Sequence, residues 1–285
     1  MNRHIAFDRL HNFRDLGGYR TEDGRHLVRW GRLYRSDSLG KLGPAQAESD
    51  RARFEALGIR TVIDLRYAWE IEGKGRVPAL PGLTYHNLSI EHRPYDQAAL
   101  GSEVDPGPYL AERYMEVAED GVKEIRQALD VIAADGGGPG GPVVFHCASG
   151  KDRTGLIAAL VLSLVGVCED DIVADFALTE LATDRLCADW RAANPGREPA
   201  WPGYGRAPGA VMRLFLAALA EKYGSVRAYA AGQLGIDDAF VATLRAQLLV
   251  PAGEPELTFR RADEGDVEER LRDDGHGIDQ STSRP

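Results

Sequence analysis

Cys147 and Arg153 stand at the two ends of a short polar stretch within "VVFHCASGKDRTGLIAALVLSLVG" (Val143–Gly166). A β-branched apolar run stops at a His-Cys pair. Small, polar and charged residues follow, and then an unbroken apolar segment that reads as a helix. Loop amides at a helix start point inward and make an anion site. That field, with the charges of Lys151 and Arg153, favours the thiolate, which is the nucleophilic form of cysteine. The planar fork of Arg153 matches two phosphate oxygens at once. Gly150 permits tight curvature or a positive φ, and the Thr154 hydroxyl can donate to the sulfur. These residue types in this order suit attack on the phosphorus of a phosphate monoester, leaving a cysteinyl-phosphate that water removes. A lone cysteine is more often a small buried hydrophobe, and Cys168 and Cys187, which have no cationic loop, are read that way.

The elements that must position this loop follow from pattern and turn chemistry. Gly-Gly and Asp-Gly signals in residues 11–39 predict a small hairpin leading to a strand near Leu33–Arg35. "GPAQAESDRARFEALG" reads as a helix with Gly58 closing it. "IRTVIDL" (Ile59–Leu65) and "LTYHNLSI" (Leu83–Ile90) read as strands, and residues 91–106 as loop. Residues 108–134 carry a helical pattern with a break at Gly121. Gly136–Gly141 is a flexible connector, followed by a strand over 142–146 and a helix from about Arg153 to Val165. Another helix starts at Cys168, with acids in its first turn as the helix dipole favours. Residues 184–207, rich in Pro, Gly, Trp and Arg, read as an irregular excursion or lid, and helices follow near 208–222 and 236–249. Strands alternating with helices argue for an α/β architecture with a largely parallel sheet. Cys147 then sits at a strand's carboxyl end, where such sheets bind ligands.

"HCASGKDRTG" (His146–Gly155) resembles the C-x(5)-R phosphate loop of the cysteine-dependent protein tyrosine phosphatase superfamily. "NFRDLGGY" (Asn12–Tyr19), "LYRSDSL" (Leu33–Leu39), "TVIDLR" (Thr61–Arg66) and "YGSVRAY" (Tyr223–Tyr229) are similar to motifs of the bacterial tyrosine and phosphoinositide phosphatases, so the resemblance spans about residues 8–250. It implies Cys147 as nucleophile and Arg153 as phosphate clamp. It implies a cradle lined by the amides from Ala148, Ser149, Gly150 and Lys151 to Arg153, and a helical lid. It implies action on phosphotyrosine, and on phosphoserine, phosphothreonine or phosphoinositides, with no metal and no cofactor. The Trp-Pro-Asp acid loop of many tyrosine phosphatases is absent, because "AWPG" (Ala200–Gly203) has Gly where Asp would be needed.

The leaving oxygen needs a proton, and Asp152 is the first candidate because loops of the resembling families carry an acid there. Lys151 and Arg153 favour its ionised form, whereas a bound phosphate dianion favours the protonated one. Asp64, at the end of a neighbouring strand, is the second candidate, against a plain salt bridge with a nearby cation. Glu70 is a weaker third. Lys151 adds positive potential for a second substrate phosphate, or is a solvated lysine. Arg66 and Arg35 line the rim or pair with carboxylates. His146 orients the loop from below, and Arg14 and Asp15 are structural. Trp190, Trp201 and Tyr204 form the inner face of a lid or a small core under a long loop.

Bulk properties bound the rest. A chain of 285 residues with 44% apolar composition can bury one sizeable core. The net charge of -10 argues against general nucleic-acid affinity. Residues 251–285 hold ten acids and five arginines and almost no apolar residues, and read as an acidic disordered tail beyond a catalytic domain over 1–250. Three cysteines with no CxxC pair make a structural zinc site improbable and fit a reducing compartment. No apolar signal core and no run near the roughly 20 residues of a membrane span occur. The expected location is therefore the cytoplasm, with signal-free secretion left open and no stable membrane insertion. The expected partner is a phosphorylated protein or phosphoinositide. Two other classes compete: a catalytically silent phosphate-binding module, and a sulfur-transfer or arsenate-reducing enzyme, which lacks the second cysteine close to Cys147.

Overall fold

The computed structural model describes residues 3–136 and 141–253. The first part of the chain contributes β1 (Arg14–Asp15), β2 (His26–Val28), β3 (Leu33–Ser36), α1 (Glu48–Ala56), β4 (Thr61–Asp64), α2 (Ala68–Lys74) and β5 (Thr84–Asn87). After a long loop come α3 (Pro106–Asp120), α4 (Val122–Asp135), β6 (Val143–His146) and α5 (Asp152–Val165). The remainder is α6 (Glu169–Ala177), α7 (Thr183–Ala193), α8 (Gly209–Tyr223), α9 (Val226–Gly232), α10 (Asp238–Leu248) and β7 (Leu249–Pro251). The main sheet has the order β1-β3-β6-β4-β5, with β3, β6, β4 and β5 mutually parallel and β1 antiparallel at one edge. This is the expected α/β architecture.

Alternation along the central strands divides the core in two. Leu33, Ile63, Val143 and Phe145 face one side and pack with the apolar body of α5 and with α3, α4 and α8. Tyr34, Val62 and Val144 face the other side and pack with Phe7, Phe13 and Phe54. Period-2 side chains on strands buried on both faces produce this division. The register places Ser36, His146 and Asp64 side by side. Three parallel strands thus end at one level, and Cys147 leaves the middle one.

The expected break at Gly121 separates α3 from α4, and a residue with a Cβ would not fit there, since that atom would lie 2.1 Å from the Ile90 carbonyl. Gly166, at φ 91°, ends α5. Residues 184–207 are less irregular than expected: α7 occupies their first half. Its half-buried residues Leu186, Cys187 and Trp190 lie on one helical face, and the Pro- and Gly-rich stretch that suggested irregularity begins only after it. The folded unit also runs past the expected boundary at residue 250. Pro251 pairs with His26, and the Ala252 amide donates to the Arg25 carbonyl at 2.7 Å. The remainder of the expected tail, from 254, and connector residues 137–140 lie outside the described residues.

Candidate active site

The loop between β6 and α5 is held by its carbonyls. The Cys147 carbonyl lies 3.1 Å from His146 Nδ1, a donor when that nitrogen carries the ring proton. The Ala148 carbonyl accepts from the Ser38 amide at 3.0 Å. The Ser149 carbonyl accepts from Asn12 Nδ2 at 3.0 Å, and the Gly150 carbonyl from Arg35 Nη2 at 2.8 Å. In a planar trans peptide the next residue's N–H points opposite to the carbonyl. Four carbonyls fixed outward therefore turn the amides of Ala148, Ser149, Gly150 and Lys151 inward, into a concave anion cradle. Gly150 makes the bend at φ 70°, and a Cβ there would lie 2.6 Å from the Ser36 backbone. No larger residue fits.

The donors to those carbonyls are themselves fixed. Asp37 accepts from the His11 and Asn12 amides at 3.0 and 3.1 Å and from Lys41 Nζ at 2.8 Å. Asp175 lies between two guanidinium groups: Arg14 Nε donates to Oδ1 at 3.1 Å and Arg35 Nη1 to Oδ2 at 2.5 Å, with all three side chains about 1% exposed. Burial opposes ionisation of Asp175, but the charges of Arg14 and Arg35 outweigh it and hold the carboxyl below its ordinary range. Arg35 is thus no rim residue. It is buried and joins Asp175 to the loop.

Arg153 stands in the first turn of α5. Nη1 donates to Glu70 Oε2 at 2.6 Å and Nη2 to Glu70 Oε1 at 3.0 Å, while Nε lies 3.5 Å from Glu91 Oε2. Glu70 also accepts from the Tyr67 amide at 2.9 Å, which ties the start of α2 to the same carboxylate. Burial works against the charge of Arg153, but the bonds to Glu70, the nearby Cys147 sulfur and Glu91 outweigh it and raise its pKa. Burial first, and then the charges of Asp152 and Glu70, push the Glu91 carboxyl up to about 7 against the pull of Arg153. Cys147 is 1% exposed.

Asp152 and Lys151 face the loop that follows β5. Tyr114 donates its hydroxyl to Asp152 Oδ1 at 2.7 Å, and Gln97 Nε2 to Oδ2 at 3.3 Å. Lys151 Nζ lies 3.2 Å from Gln97 Oε1 and 3.4 Å from Asp152 Oδ1. Burial and the Asp152 charge push the Tyr114 phenol well above its ordinary value, so it stays a donor. Lys151 is buried, which removes the reading of it as a solvated lysine. Thr154 is buried too, and its hydroxyl has no hydrogen-bond partner among the described residues, which leaves it able to donate toward the sulfur or a bound oxyanion.

Asp64 and Arg66 do not line an opening. Both are fully buried and bonded to each other, Nε to Oδ1 at 2.9 Å and Nη2 to Oδ2 at 2.7 Å, and Arg66 also donates to the Ser38 hydroxyl and the Gly75 carbonyl. Burial opposes the Asp64 charge, but His146 and Arg66 hold its carboxyl low, which leaves it no proton to give at neutral pH. The rim arginine and alternative acid expected there are a structural ion pair instead. Trp201 is 2% exposed and donates Nε1 to the Val104 carbonyl at 2.9 Å, so it belongs to the core. Trp190 and Tyr204 pack on each other, 5.4 Å between centroids. No group of three or more His, Cys, Asp or Glu among the described residues is placed to hold a metal ion.

Glu91, Gln97 and Tyr114 were not singled out from the sequence. Two lie in a loop without periodicity, and the third reads as one more core-facing aromatic of an amphipathic helix. The sequence offers Glu70 only as a weak acid candidate; its grip on Arg153 depends on α2, a short helix with no buried residue.

Comparison with known proteins agrees with the motifs. The profile of the tyrosine phosphatase family matches residues 5–250. A Cupriavidus necator protein named as a tyrosine-protein phosphatase is 32% identical over 242 residues, covering 82% of this chain and 81% of its own. The tyrosine-protein phosphatase of Nostoc commune is 31% identical and covers 75% of this chain and 73% of its own. The triple specificity protein phosphatase PtpB of Mycobacterium tuberculosis is 32% identical, covering 62% of this chain and 69% of its own. With the phosphate loop, its carbonyl frame and a family match over most of its length, the chain belongs to the tyrosine phosphatase family.

Proposed function

We propose that the chain hydrolyses phosphotyrosine, and beside it phosphoserine, phosphothreonine and phosphoinositides, through a cysteinyl-phosphate on Cys147. The observation that carries this is the outward anchoring of four successive loop carbonyls, which aims the opposing amides at one centre next to Cys147 and Arg153. The substrate phosphoryl group seats on those amides and on the Arg153 nitrogens. Each terminal nitrogen of Arg153 carries two hydrogens, so Glu70 can take one from each and leave the others for phosphate. The Cys147 thiolate attacks phosphorus, the bond from phosphorus to the ester oxygen breaks, and Asp152 gives its proton to the leaving oxygen. Water then attacks the phosphocysteine, Asp152 takes a proton from it, the phosphorus–sulfur bond breaks, and inorganic phosphate leaves with the thiolate restored.

The charge pattern supports the wider substrate range. Lys151 is a second cation behind the cradle and can meet a further phosphate once Gln97 moves. The three cysteines are free, which supports a reducing, cytoplasmic site of action. No helix among the described residues is long and apolar enough to cross a membrane.

Fresh reduced protein should hydrolyse p-nitrophenyl phosphate in a vanadate-sensitive manner, and Cys147→Ser should abolish this. Absence of hydrolysis by the wild type would leave the silent module. Asp152→Asn should lower kcat on phosphotyrosine peptides by about 10²–10⁴-fold with little loss on p-nitrophenyl phosphate, whose leaving group needs no proton. Equal losses on both would remove Asp152 from the acid role. Phosphopeptides and phosphoinositides compared with wild type and Lys151→Ala rank the substrates.

A further inference from the structure

Trp69 is 61% exposed, an uncommon state for so large an aromatic ring. One of its faces is stacked on Tyr67, with centroids 5.6 Å apart and planes 15° from parallel. The Tyr67 ring in turn lies 5.5 Å from the Arg153 guanidinium carbon. The next residue, Glu70, grips Arg153 with both oxygens and the Tyr67 amide with one of them. The start of α2 is therefore tied to Arg153, and the exposed Trp69 ring is one stacking contact away from the ring beside that guanidinium.

Resting on the phosphatase reading above, we propose that Trp69 is a specificity-determining residue that stacks on an apolar or aromatic side chain next to the phosphotyrosine of a peptide substrate. A phosphotyrosine whose phosphate meets Arg153 lays its ring beside Tyr67. Its main chain then emerges at the height of Trp69, and the side chain that reaches Trp69 belongs to a flanking residue. Tyr67 supports the indole from behind, so little side-chain freedom is lost when the free face is covered. Rigid aromatic rings are the usual anchors of peptide recognition. Phosphoserine is shorter by the whole phenyl ring. It gains less from this ring than phosphotyrosine does.

The test compares phosphotyrosine peptides flanked on both sides by Phe with the same peptides flanked by Gly, with p-nitrophenyl phosphate as the substrate that has no flanks. Trp69→Ala should lower kcat/KM for the Phe-flanked peptide about threefold to tenfold, the size of one aromatic contact. The Gly-flanked peptide and p-nitrophenyl phosphate should be unchanged, and Trp69→Phe should restore most of the loss. Peptide affinity measured by calorimetry in the Cys147→Ser background should show the same pattern whether or not the wild type turns over. Wild-type inactivity alone would thus sink the phosphatase reading and leave the shelf standing. Equal effects on both peptides, no effect on either, or a loss confined to phosphoinositide vesicles would overturn the peptide shelf.

Discussion

Arg153 gives both terminal nitrogens to Glu70 and turns Nε toward Glu91, 3.5 Å away. A phosphate dianion approaching this guanidinium meets two carboxyl groups already there. Glu70 is kept ionised: burial opposes its charge, but the Arg153 bonds and charge outweigh burial and lower its pKa. Glu91 behaves in the opposite way. Burial raises it to about 7, so below that pH it is mostly neutral and competes weakly for Arg153. Above that pH it is charged, opposes the dianion and pairs with the clamp. kcat/KM should therefore fall as pH rises through about 7, and Glu91→Gln should remove this limb of the profile. A limb that persists unchanged in Glu91→Gln belongs to another group.

The phosphate loop depends on elements far away in sequence. Asn12, just before β1, holds the Ser149 carbonyl, and Arg35 on β3 holds that of Gly150. Asn12→Ala removes three side-chain hydrogen bonds, to the Ser149 carbonyl, the Thr179 hydroxyl and the Arg14 guanidinium. It should let the Ser149 peptide turn and weaken inorganic phosphate and vanadate binding severalfold, with a stability loss of about 1–3 kcal/mol for each buried group left unpaired. Inhibition constants beside urea midpoints measure both. The motifs "NFRD" and "LYRSD" were visible in the sequence, as were the Cys147–Arg153 spacing, the strand before it and the helix after it. Their purpose was not visible, because nothing in a linear pattern shows that Asn12 and Arg35 meet carbonyls more than a hundred residues away. Asp64–Arg66 misled for the same reason: strand-end charges can face a rim or each other, and here the fully buried pair faces inward. α2 escaped because seven residues with no buried face make no helical stripe, although it carries Glu70 and Trp69.

At the scale of the whole molecule, the buried triad of Arg14, Asp175 and Arg35 joins β1 and β3 to α6. Asp175→Asn leaves two buried guanidinium groups without their counter-ion, and should cost about 3–5 kcal/mol of unfolding free energy at neutral pH. Because the folded state holds Asp175 below its ordinary value of 3.8, the stabilisation is complete above that pH. It is lost as pH falls through the lower folded value. Urea midpoints of the wild type should thus fall steeply on acidification below about pH 4. Asp175→Asn should start lower and fall less. The triad supports the loop, the loop orients its amides, and the proposed chemistry runs through one sulfur beside them. The most direct test of that chain is a rapid quench of the enzyme with a phosphotyrosine peptide radiolabelled on phosphorus, followed by digestion and mapping. The account predicts label on the peptide containing Cys147 during turnover, and none with Cys147→Ser. Steady turnover with no labelled protein, or label on another residue, would contradict it.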